Sequence, residues 1–147
     1  MADSRPTVAV SGGLDPVHMG HIKLIQEAYR YGDVIVILNS DHWLFEKKGF
    51  CFMSFDERAT ILAAIKGVVK VVEVDDSDGT VCEALERLHP DYFANGGDRK
   101  EYNVPEVELC KKLGIKLLWN IGGDKMQSSS DLVSRLVKKS NIKISER

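Results

Sequence analysis

Cysteine is scarce in this chain, and the three present, Cys51, Cys82 and Cys110, are widely spaced with no C-x-x-C pair. That excludes a disulfide framework and a zinc site and implies reduced thiols. Charge of one sign is not in excess either: Lys and Arg number 20 against 22 Asp and Glu, for a net charge of −2. A surface built for nucleic acid is therefore not expected, although a local basic pocket for phosphates is compatible with this balance. No apolar run approaches the roughly 20 residues of a membrane span, and Met1 to Pro6 lack the apolar core of a signal peptide. No membrane partner is expected, and cytoplasmic residence is the default. Linkers, internal repeats and low-complexity segments are also missing. At 147 residues the chain suits one ordinary core and is too short for two. A single domain over residues 1–147 is expected, with a core at about 7–139 and a polar tail at about 140–147.

What is present is a regular alternation. Thr7-Val8-Ala9-Val10 and Val34-Ile35-Val36-Ile37-Leu38 are short apolar runs rich in β-branched residues, and Val68 to Val74, Asp91 to Ala94 and Ile115 to Trp119 complete five expected strands. Between them apolar residues recur at helical spacing. Ile22, Leu24, Ile25 and Ala28 mark a helix to about Tyr31; Phe55, Ala59, Leu62 and Ala63 follow the capping-box pattern Ser54-Phe55-Asp56-Glu57. Val81, Ala84, Leu85 and Leu88 form a stripe ended by Pro90, and a further helix runs from Pro105 to about Leu113, closed by Gly114. Leu132, Val133, Leu136 and Val137 share one face of a last helix. The segment from His42 to Met53 has no clean period and reads as a mobile loop or short helix at the mouth of the site. Strands alternating with amphipathic helices specify an α/β domain, a Rossmann-like three-layer arrangement with a five-stranded parallel sheet and right-handed crossovers.

The first strand runs into Ser11-Gly12-Gly13-Leu14-Asp15-Pro16-Val17-His18-Met19-Gly20-His21 and then into a helix. Glycines at a strand end allow close approach of a ligand, and a helix start presents unpaired N–H groups and partial positive charge toward the same point. A phosphate suits that place. His18 and His21 are three apart, which puts both imidazoles on one side of a helical turn, while Gly20 between them leaves room for a polyanion. Asn95-Gly96-Gly97-Asp98-Arg99 is a second glycine turn at a strand end, where ligand crevices of such sheets lie.

This eleven-residue string resembles the G-T-F-D-x-x-H-x-G-H signature of the cytidylyltransferase-like nucleotidyltransferases, with Gly13-Leu14-Asp15 standing where that family has T-F-D. Similarity extends from about Val8 to about Val133. Val36 to Asp41, Lys47-Lys48-Gly49, Asp56 to Arg58, His89 to Tyr92, Gly96 to Asp98 and Val104 to Glu106 look most like the adenylyltransferase domain of the bacterial heptose-phosphate pathway, and His21 to Ile25 is similar to glycerol-3-phosphate cytidylyltransferase. The second family signature, R-x-x-x-I-S-T-T, falls on Gly123 to Ser130, with Gly123 at the arginine position and Lys125 as the nearest cation; the two are not equivalent for bidentate phosphate binding.

The resemblance implies that the phosphate of a small molecule attacks the α-phosphorus of a nucleoside triphosphate and releases pyrophosphate. On that reading His18, His21 and Lys47 are catalytic. Gly13, Leu14, Asp15, Gly20, Lys66, Gly97, Asp98, Arg99, Lys125, Ser128 and Ser129 bind the nucleotide, and Arg58 is either a structural ion pair or a ligand. Magnesium is expected to arrive with the triphosphate, with no metal held by the protein itself, and a homodimer is expected. The acceptor is a phosphorylated sugar or polyol, glycerol-3-phosphate or another alcohol phosphate being the alternative. ATP is favoured modestly over CTP. His-Met-Gly-His with Lys-Met-Gln-Ser-Ser also echoes the class I aminoacyl-tRNA synthetases, but the chain has no room for a tRNA-recognition domain. A non-catalytic nucleotide sensor is the remaining rival, suggested by Gly123.

Overall fold

The computed structural model describes residues 5–96 and 104–123, together with 132, 135 and 136. Its elements follow one another as β1 (Thr7–Gly12), α1 (Met19–Tyr29), β2 (Asp33–Leu38), α2 (Asp41–Lys48), α3 (Phe55–Ala63), β3 (Val68–Glu73), α4 (Cys82–Leu88), β4 (Tyr92–Gly96), α5 (Val104–Leu113) and β5 (Lys116–Ile121). All five strands are parallel, in the order β3-β2-β1-β4-β5.

Strand side chains alternate between two faces, and the core divides accordingly. Val8, Val10, Val34, Val36 and Leu38 pack with Ile25 and Ala28 of α1 and Leu62 of α3. Ala9, Ile37 and Phe93 turn the other way, onto Ala84 and Leu85 of α4 and Cys110 of α5. The result is three layers, as expected from the alternation of runs. β1 and β2 are covered on both faces, and this explains their unbroken apolar sequence. Each fully buried aliphatic side chain here contributes roughly 1.5–3 kcal/mol.

Helix ends follow their caps. Ser54 Oγ accepts from Glu57 N–H at the start of α3, and the left-handed His89 stops α4 one residue before Pro90. The segment read as a mobile loop or short helix contains the helix α2, capped by Ser40 and closed by the left-handed Gly49. Only Leu44 of its residues is buried, so it carries no apolar period. The segment expected to form a last helix, and the tail, lie almost wholly outside the described residues.

The chain lays down β1, β2 and β3 on one side, then crosses to the other side of β1 for β4. Ligand crevices form at such reversals, beyond the carboxyl ends of the strands. Here the ladder between β1 and β4 consists of Val8↔Tyr92 and Ala9↔Phe93 alone, whereas β1 and β2 stay paired from Thr7↔Asp33 to Gly12↔Leu38. The glycine loop after β1 therefore emerges beside an opening in the sheet.

Candidate active site

His18 is the N-cap of α1. Its Nδ1 accepts the N–H of Gly20 at 3.1 Å, and Nδ1 of His21 accepts the N–H of His18 at 3.1 Å, which together form a capping box built from two imidazoles. With Nδ1 of each ring accepting, the neutral ring carries its proton on Nε2. The rings stack with centroids 3.8 Å apart and planes inclined by 26°. Stacking keeps the two Nε2–H groups on neighbouring rings, near enough to serve one phosphoryl group at a helix start. Gly20 is required by this packing, since a Cβ there would meet His18 Cε1 at 2.9 Å.

The glycine loop is held from below. A Cβ on Gly13 would lie 2.5 Å from Leu44 Cδ2 and 3.4 Å from Trp43 Cζ3, so only glycine lets α2 pack this closely. Lys47 is exposed on that same helix with its Nζ 5.7 Å from the centre of the Trp43 ring, which places it beside the loop. Leu14 is buried. Asp15 is fully buried, and its two carboxylate oxygens accept the N–H groups of Phe52 and Met53, each at 2.6 Å. The Asp15 side chain ties the loop to the segment between α2 and α3.

Arg58 is an ion pair rather than a ligand. Its Nη2 meets Asp41 Oδ1 at 2.6 Å, and its other donors reach the carbonyls of Met53, Gly13 and Asn39. A second tie, missed in the sequence because Asp76 sits in an acidic turn, holds the start of α2. Asp76 accepts from Asn39 Nδ2 at 3.0 Å, Ser40 N at 2.8 Å and Ser40 Oγ at 2.8 Å. The Asn39-Ser40-Asp41 run directly after a buried strand was its available signal.

Lys66 stands apart from the glycine loop within one chain. It precedes β3 at the level of the start of β1, because Val68 pairs with Val34 and Val34 with Val8. Within one chain it stands at the opposite edge of the sheet from Gly13 and His18. Gly97, Asp98, Arg99, Lys125, Ser128 and Ser129 lie outside the described residues. β4 delivers the chain to the crevice at Gly96, and β5 ends at Ile121, just before Gly122, whose N–H donates to Glu27 of α1 at 3.0 Å. Gly122 packs so tightly on α1 that a Cβ would sit 2.9 Å from Leu24 Cα.

Among the described residues no group of three or more His, Cys, Asp or Glu side chains is placed to hold a metal ion, and no helix is long and apolar enough to cross a membrane. The three cysteines are free.

Known proteins share this chain's features. The chain is 33% identical over 138 residues to Bifunctional protein HldE of Syntrophotalea carbinolica, covering 90% of this chain and 27% of that protein. It is 39% identical over 110 residues to Bifunctional protein HldE of Koribacter versatilis, covering 73% and 22%. It thus spans only about a quarter of the length of these relatives. A lipopolysaccharide core biosynthesis protein from Thermoplasma volcanium has the same fold, with a TM-score of 0.69 over 82% of this chain and 98% of that one at 22% identity. With the cytidylyltransferase-like pattern matching residues 9–147, around a strand, a glycine loop and two histidines capping a helix, the chain belongs to the cytidylyltransferase-like family.

Proposed function

We propose that this chain is a nucleotidyltransferase that moves a nucleotidyl group from a nucleoside triphosphate to a phosphorylated sugar or polyol. The observation that carries the reading is the pair of stacked imidazoles at the start of α1, both held through Nδ1. An oxygen of the acceptor phosphate attacks the α-phosphorus, the bond to the bridging oxygen of the β-phosphate breaks, and pyrophosphate leaves with that electron pair. A phosphate monoester, with a second pKa of about 6, is already ionised at neutral pH and needs no strong general base. Positioning and charge stabilisation carry the catalysis.

His18 and His21 donate to oxygens of the triphosphate as charge builds on them, and Lys47, on a helix clamped at its start, reaches toward the incoming phosphate. Gly97 to Arg99 line the base and ribose pocket, and Lys125, Ser128 and Ser129 serve the β- and γ-phosphates. Asp15, the one acidic residue between Gly12 and His21, has both oxygens engaged by amides, so the loop offers no carboxylate to a metal. Magnesium accordingly comes bound to triphosphate oxygens and water. The enzyme works as a cytoplasmic homodimer, with ATP modestly preferred over CTP.

The test is a thermal-shift screen against ATP, CTP, GTP and UTP, followed by a pyrophosphate-release assay over sugar and polyol phosphates. Release with at least one pair is expected. No release with any pair overturns the reading, and equal or greater stabilisation by CTP reverses the nucleotide preference.

A further inference from the structure

The guanidinium of Arg58 is fully buried, and all three of its nitrogens are engaged: Nε with Met53 O at 2.9 Å, Nη1 with Gly13 O at 2.7 Å and Asn39 O at 2.9 Å, Nη2 with Asp41 Oδ1 at 2.6 Å. An ion pair alone accounts for Nη2. The bond to Gly13 has another effect, because it fixes a peptide plane. In a trans peptide the C=O and the following N–H point in opposite directions. The Gly13 carbonyl, drawn onto Arg58, therefore turns the N–H of Leu14 away from the guanidinium.

Leu14 is itself buried, and among the described residues none accepts a hydrogen bond from its N–H. Its φ is 51°, in the left-handed region that a leucine occupies only under constraint. On one side Arg58 holds the preceding carbonyl; on the other Asp15, bonded to Phe52 and Met53, holds the following residue. A donor fixed in this way costs no reorganisation when charge develops in front of it, and this is what makes backbone N–H groups effective toward oxyanions.

We propose that Arg58 is a positioning residue: by taking the Gly13 carbonyl it aims the Leu14 N–H at the phosphoryl group served by His18 and His21. This rests on the nucleotidyl-transfer reading above, in which the family resemblance already puts Leu14 at the nucleotide, and adds to it the side chain that orients the Leu14 amide.

The test follows the Leu14 amide and the His18 and His21 ring signals by NMR in ¹⁵N-labelled protein titrated with ATP and magnesium. In the wild-type protein the Leu14 amide proton moves downfield together with the histidine signals. Arg58→Lys, whose single ammonium cannot span these acceptors, loses the Leu14 shift and on the order of tenfold to a hundredfold in kcat, while KM for ATP changes by no more than about twofold. Asp41→Asn removes the ion pair but leaves the bond to Gly13, and keeps both the shift and kcat. Histidine signals that move while Leu14 stays still in the wild-type protein overturn the role of Arg58 and leave the site intact. Histidine signals that also stay still overturn the nucleotide reading, and this proposal with it. An Asp41→Asn protein as slow as Arg58→Lys reduces Arg58 to an ion pair.

Discussion

The imidazoles of His18 and His21 lie face to face, 3.8 Å between centroids, and each accepts through Nδ1 a backbone N–H of the turn that starts α1. Each histidine is thus both a candidate donor to phosphate and part of a helix cap. Replacing either by alanine should cost about a hundred- to a thousandfold in kcat and also about 1 kcal/mol of stability through the lost cap. For a chain of this size that is roughly 2–4 °C in Tm. His18→Asn separates the two effects, since asparagine is a good N-cap without an imidazole. Kinetics and thermal melts should show it slow with a near-native Tm, and an active His18→Asn enzyme would refute the assignment.

Gly20→Ala tests the same pair from the backbone. Alanine is the better helix former by about 1 kcal/mol, but its Cβ would sit 2.9 Å from His18 Cε1 and 3.1 Å from Nδ1. The ring must swing away and give up the Gly20 N–H. Turnover should fall at least tenfold, as for a displaced oxyanion donor, with little change in Tm; unchanged turnover would show that the ring position is immaterial.

Asp15→Asn keeps the size of the side chain but replaces one acceptor oxygen with an NH₂ group, facing the N–H of Phe52 or Met53. Leaving a buried donor unsatisfied costs about 1–3 kcal/mol. Urea unfolding should register that loss, and amide exchange at residues 52 and 53 should speed up. Equal exchange in the two proteins would argue against the tie.

Lys47 and Lys66 separate cleanly by position. Lys47→Ala should lower kcat by tenfold or more, in the range of other lost phosphoryl contacts, whereas Lys66→Ala, at the far edge of the sheet, should stay within about twofold. Steady-state kinetics on both variants decides, and the reverse order would mean that Lys66 acts in a way one chain does not show.

Burial pushes the Cys51 thiol up to about 11, helped by the neighbouring Asp15 and Asp41 carboxylates, and burial does the same for Cys110. Relative to an unfolded thiol at 9.0, each contributes stability that is complete below that value and is lost as pH rises toward about 11. At pH 8 their thiolate fractions should be about a hundredfold below that of an unfolded thiol. Iodoacetamide labelling of the native and the urea-unfolded protein should show this ratio for Cys51, and rapid native labelling would contradict it.

The strands were legible because β1 and β2 are covered on both faces and so read as unbroken apolar runs. The phosphate turn was legible because glycines and histidines cluster within ten residues of one strand end. α2 was not, since a helix that buries little beyond Leu44 leaves no period. The place of Lys66 was not legible for a different reason: a motif gives order along the chain, while only strand register shows which end of the sheet a residue reaches. Asp76 and Arg58 exert their effects across sequence separations of 17 to 45 residues, where composition is silent.

Pairing between β1 and β4 that ends after Ala9 leaves an edge inside the sheet rather than at its rim. Such an interior edge carries main-chain N–H and C=O groups, at strand spacing, that the ladder between β1 and β4 does not use. Peptide groups are carried alike by every residue type. On the nucleotidyl-transfer reading proposed above, a nucleotide that met them would be sorted by where the two strands part company, and exchanging one side chain for another along β1 or β4 would alter that sorting less than moving the point of parting by one pair.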